Sequence, residues 1–102
     1  GQVTTAVRKT SMDGFEISEG DIIGLDGKKI VAKGSSPEDV VKDVVNNLTG
    51  KFTEVITLYY GSDVQKEEAE ALAEALQEKY EDYDVILYFG GQQHYQYFLS
   101  VE

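Results

Sequence analysis

The chain has 102 residues, a formal net charge of −10 and no cysteine. That length suits one domain with its own core, and the absence of thiols excludes a disulfide framework, a thiolate metal site and a cysteine nucleophile. The acidic balance argues against nucleic acid, whose phosphates call for clustered Lys and Arg. Residues 3–10 are β-branched and alternating and predict a strand. Asp13-Gly14 and Glu19-Gly20-Asp21 mark turns. Residues 21–25 and 29–32 flank Asp26-Gly27, a two-residue hairpin signal because Gly tolerates positive φ.

A helix then opens at Ser36-Pro37-Glu38-Asp39, with Ser36 as N-cap, Pro37 at the first helical position and Asp39 completing a short capping box. Val40, Val41, Val44, Val45 and Leu48 form its apolar stripe, and Gly50 ends it. Its valines lower intrinsic propensity, so the helix depends on packing against a sheet. Residues 54–60 read as a strand and Gly61-Ser62-Asp63 as a turn, with Ser62 the expected N-cap and Gln65 its box partner. An anion at this helix start is the other reading, opposed by Asp63, Glu67 and Glu68. The helix, residues 64–80, buries Ala69, Leu72, Ala73, Leu76 and Tyr80 on one face. Residues 84–89 and 97–101 are the last two strands.

The order β-β-β-α-β-α-β-β predicts an α+β two-layer sandwich, an approximately six-stranded mixed sheet with two helices on one face. Ile56, Leu58, Tyr60, Tyr97, Leu99 and Val101 make one sheet face mainly aliphatic. The other mixes Thr, Tyr, Phe and Ser, which fits a surface that is wet or covered by something else. Charge is uneven: residues 1–33 hold five acids and five bases, whereas residues 62–84 hold nine acids against Lys66 and Lys79. This acidic helix face is a solvated surface or a steering field for a basic partner.

The stretch from Tyr88 to Glu102 carries the candidate site. Gly90-Gly91 has no GxGxxG or GxxxxGK[ST] context, so it reads as a sharp turn or a close approach. His94, the single histidine, lacks the partners of a metal site or of a catalytic base. Tyr59, Tyr60, Tyr88, Tyr95 and Tyr97, with Phe89 and Phe98, sit on or beside the last three strands, and tyrosine is the kind of residue that interfaces enrich, with large area and a polar tip. The candidate partner- or ligand-binding set is therefore Tyr59, Tyr60, Gly90, Gly91, Gln92, His94, Tyr95 and Tyr97, with no catalytic or metal residues. Sheet-core packing is the competing reading of the tyrosines, and an enzyme built on His94 with a tyrosine is the remotest alternative.

Several runs carry a resemblance: Gly20-Asp21-Ile22-Ile23-Gly24-Leu25-Asp26-Gly27-Lys28-Lys29-Ile30-Val31, Ile56-Thr57-Leu58-Tyr59-Tyr60-Gly61, Glu67-Glu68-Ala69-Glu70-Ala71-Leu72, and Gly90-Gly91-Gln92 onward. Together they resemble the C-terminal part of the large subunit of bacterial fatty acid kinase, a dihydroxyacetone-kinase-like family. The resemblance implies a C-terminal fragment of a longer cytoplasmic protein, with Gly1 at a domain boundary. ATP and magnesium then belong to the parent's kinase domain, and no cofactor belongs to residues 1–102. It also implies a role in lipid metabolism and, as partner, a DegV-type fatty-acid-binding subunit. Other domains of the parent, or a second copy in a homodimer, are further expected partners; nucleic acid and a transmembrane segment are not. The C-terminal lobe of the DegV fold is distantly similar, but its His-Thr-Gly-Pro-Gly loop is matched here only by His94, followed by Tyr95-Gln96. A small-ligand or acyl-chain binding module is the alternative role.

Overall fold

The β-branched start of the chain forms strand β1 (Gln2–Thr5), shorter than the 3–10 strand that its alternation predicts. In the computed structural model, which describes residues 1–102, the chain leaves the sheet at Ala6. There the Ala6 N–H donates to Asp21 O (2.8 Å) and the Ala6 carbonyl accepts from Gly20 N–H (2.9 Å). Residues beyond it form a separate small hairpin, β2 (Thr10–Met12) and β3 (Phe15–Ile17). Asp13 at φ 55° and Gly14 at φ 84° give the turn its two positive-φ residues. The predicted hairpin follows as β4 (Ile22–Asp26) and β5 (Lys29–Gly34).

Helix α1 (Pro37–Leu48) starts as predicted, with Asp39 N–H donating to Ser36 Oγ at 3.5 Å. After β6 (Val55–Tyr60), helix α2 (Lys66–Lys79) begins later than its composition predicts. Ser62 is not its N-cap; Gln65 holds that position without a side-chain bond. The Ser62 hydroxyl and N–H both turn instead to Gln92 O, at 3.3 and 3.0 Å. Strands β7 (Asp84–Phe89) and β8 (Tyr95–Val101) complete the chain.

The main sheet has the order β5-β4-β1-β8-β6-β7, antiparallel except for the β6–β7 pair. Following the pairings across the sheet, β5 and β6 run the same way, so both helices are crossovers between strands of like direction. Both lie on one face, giving the α+β two-layer architecture. Val40, Val41, Val44 and Val45 of α1 and Leu72 and Leu76 of α2 pack on Val3, Ile56, Leu58, Tyr97 and Leu99. Each such large apolar side chain contributes roughly 1.5–3 kcal/mol by leaving water. Gly24 lets α1 sit close: a Cβ there would run into the Val44 side chain.

The second sheet face is divided. Toward β4 and β5 the small hairpin covers it, with Ile17 packed against Ala6 and Ile30 and flanked by Phe15, Ile23 and Leu25. Toward β8, β6 and β7 nothing in the chain covers it. No helix is long and apolar enough to cross a membrane.

Candidate functional site: an aromatic half-face and its latched loop

The uncovered half carries a continuous aromatic row. Register places Tyr88 beside Tyr59 and Tyr59 beside Phe98. The Tyr59 and Tyr88 rings stack with centroids 5.6 Å apart, and Tyr95 meets Phe98 at 5.1 Å. Tyr88 is 52% exposed and Tyr59 39%. Strict alternation would send Tyr95 to the same side as Tyr97. A bulge prevents this: Val3 pairs with Tyr97 but Thr4 pairs with Tyr95, so Gln96 is the extra residue. Gln96 then donates its amide to Thr5 Oγ1 at 2.7 Å, and Tyr95 joins the row.

Tyr97 is a correction. It is fully buried beneath the helices, with its hydroxyl donating to Glu38 Oε2 at 2.8 Å. Burial first, then the hydrogen bond and charge of Glu38 and the charge of Glu68, push its pKa well above the ordinary tyrosine range. A residue so placed holds α1 to the sheet and cannot face a partner. Tyr60 also faces the helix layer, half-buried, with its ring 5.2 Å from Phe89. Sequence alternation already groups Tyr60 and Tyr97 with the aliphatic positions, so this outcome follows from the pattern.

The glycines and Gln92 build the loop that ends the row. Gly90 and Gly91 N–H donate to Tyr60 O (2.9 and 3.2 Å), and Gly61 N–H donates to Gln96 O (2.7 Å). The Gln92 side-chain amide donates to Tyr59 O at 3.0 Å. Gly91 is at φ 68°, a conformation that glycine adopts without the Cβ penalty of other residues. These residues latch the segment 90–96 over the carboxyl ends of β6 and β7, and their polar groups are spent on that latch.

His94 sits on the latch at φ 70°, exposed, with its carbonyl accepting from the Thr4 hydroxyl. Beside it lies an open hollow of about 510 Å³, whose walls include Thr4, Thr5, Asp63, His94, Tyr95 and Gln96. Thr4, Thr5 and Asp63 in the hollow, like Tyr88 and Phe98 in the row, are additions to the candidate binding set. Asp63 was legible only as a turn residue, and the two threonines only as strand residues. Nothing in their local sequence signals that the topology brings residues 4, 63 and 94 together.

Fold and site together define a small two-layer α+β domain whose sheet keeps one aromatic half-face open. The profile of the C-terminal domain family of FakA-like fatty acid kinase subunits matches residues 1–102, and the chain belongs to that family. It is 37% identical over all of its 102 residues to protein YloV of Bacillus subtilis (strain 168), covering 18% of that protein. An uncharacterized protein of Staphylococcus aureus (strain USA300) is 35% identical over the same 102 residues, which are 19% of its length. The chain thus spans less than a fifth of these relatives.

Proposed function

We propose that this domain of a fatty acid kinase-like protein is a non-catalytic docking module. It meets the DegV-type subunit that carries the acyl chain, and so brings the fatty acid to a kinase domain elsewhere in the parent, where ATP and magnesium bind. The carrying observation is the open row of Tyr88, Tyr59, Phe98 and Tyr95 on the sheet face that neither helix covers. Tyrosine is among the residue types enriched in the few side chains that dominate interface energies, and it orders at little entropic cost. The test is calorimetric titration of the 102-residue chain with the DegV-type subunit. Binding is expected, and Tyr59→Ala with Tyr88→Ala together should weaken it at least about tenfold. A carrier that does not bind, or that binds the double variant equally well, overturns the reading.

A second reading is favoured by the hollow beside His94, where Thr, Asp, His and Gln side chains converge next to the aromatic row. It makes the domain a small-ligand or acyl-binding module. Native mass spectrometry of the purified chain should then show a co-purified mass, and a repeatedly empty chain removes this alternative.

A further inference from the structure

The two edges of the main sheet differ. β5 carries Lys29 and Lys33 and a bulge at Val31, opposite Gly24 and Leu25. Charges and bulges of this kind stop a foreign strand from pairing. β7 has neither device beyond its first residue. It continues as Val85-Ile86-Leu87-Tyr88-Phe89 in unbroken one-to-one register with β6.

The hydrogen bonds show which groups face outward. Asp84 N–H donates to Glu54 O and Gly90 N–H to Tyr60 O, both at 2.9 Å. Alternation along a strand then turns the backbone of Ile86 and Tyr88 toward β6, and that of Val85, Leu87 and Phe89 toward solvent. Gln77 of α2 occupies the first outward donor: Val85 N–H donates to its Oε1 at 3.1 Å, while its amide donates to Tyr83 O at 2.7 Å. No side chain or loop claims the N–H of Leu87 or Phe89.

Charge identifies the occupant. Because Gln77 reaches the β7 edge, its face of α2 overhangs that flank. Glu74 lies one turn earlier on this face without an ion-pair partner, while Glu70 pairs with Lys66 at 3.7 Å. Glu81, Asp82 and Asp84 stand at the start of the strand, all exposed. A second copy added at this edge would set that acidic flank against itself, which like-charge repulsion disfavours.

We infer that the edge of β7 from Val85 to Phe89 takes up an extended, basic segment of a partner protein as a seventh strand. Backbone bonds at Leu87 and Phe89 supply the pairing, and the acidic flank selects lysine or arginine beside the apolar positions. This goes beyond the docking reading, since it uses the sheet edge, and it stands even if the aromatic row never meets the DegV-type subunit.

The probe is a heptapeptide alternating lysine with valine and tyrosine, titrated into the 102-residue chain and followed by amide hydrogen exchange. Controls are the same peptide with glutamate for lysine, and heptalysine. Phe89→Pro removes the outward N–H at a position where the β6 ladder does not need it; Phe89→Ala removes the same ring but keeps the N–H. Expected results are slowed exchange at Leu87 and Phe89, no binding of the acidic peptide, and affinity about tenfold weaker in Phe89→Pro than in Phe89→Ala. Heptalysine binding as well as the alternating peptide, without slowed exchange at these amides, overturns the inference. So does equal affinity of the two variants, or a self-associated chain that Phe89→Pro makes monomeric. If Phe89→Pro does not fold, the exchange of the unaltered chain decides alone.

Discussion

Gly61 is a residue whose lack of a side chain is dictated by what surrounds it. A Cβ there would run into the backbone oxygen of Tyr95 and come within 2.9 Å of that of Gln92. Both oxygens belong to the backbone of the segment 90–96, so neither yields as the end of a flexible side chain would. A Cβ at Gly90 meets chiefly the Gln92 side chain, which can swing aside at the cost of its one bond to Tyr59 O. Gly61→Ala should therefore cost about 2–3 kcal/mol of stability, and Gly90→Ala clearly less, as read from urea unfolding. Tyr97 offers a second test. Tyr97→Phe loses the bond to Glu38 and should cost about 1 kcal/mol at neutral pH. The folded chain holds the Tyr97 proton more tightly than the unfolded chain does. Its contribution is thus complete below about pH 10, the ordinary tyrosine value, and declines above it by up to about 1.4 kcal/mol per pH unit. Tyr97→Phe has no such proton to lose, so the stability gap between the two chains should narrow from pH 10 to 11.

At the scale of elements, the small hairpin β2–β3 is the piece with the fewest attachments. Ile17, 1% exposed, is its one fully buried side chain. Ile17→Ala should cost about 2–4 kcal/mol locally. Hydrogen exchange of residues 10–17 should accelerate while that of β6 and β8 stays slow; uniform acceleration would mean the hairpin is not a separate unit. How legible these elements were follows from where their signals lie. α1 could be read from Ser36, Pro37 and four valines because cap chemistry and 3.6-residue spacing are local. The hairpin at residues 10–17 was half legible: Asp13-Gly14 announced the turn, but Thr10-Ser11-Met12 has no alternation to mark a strand. The bulge at Gln96 left no signal, since it is set by pairing with a strand more than ninety residues away. It decides which way Tyr95 faces, so the aromatic row could be guessed in composition but not in membership. Tyr97 lies outside the row because its phase buries it among Ile56, Leu58 and Leu99, and Tyr60, half-buried, shares that phase.

For the whole molecule, charge is the dominant unbalanced quantity. Nineteen acids face nine bases, and only two ion pairs, Lys33–Asp21 and Lys66–Glu70, lie within bonding range. Self-repulsion of this kind destabilises the compact state and is screened over about 10 Å at 0.1 M salt. The melting temperature should accordingly rise as sodium chloride goes from about 0.01 to 0.15 M, over the range where screening tightens most. A flat response in thermal circular dichroism would place the repulsion equally in the unfolded chain.

β8 lies between β1 and β6, and Leu99 N–H donates to Gly1 O at 2.9 Å across the centre of the sheet. During synthesis, β5-β4-β1 and β6-β7 therefore emerge as two incomplete pieces that share no ladder until residues 95–101 arrive between them. Such late, long-range closure makes for slow folding. It also gives the nascent domain an interval in which both greasy undersides are available to a chaperone before the final strand stitches them shut.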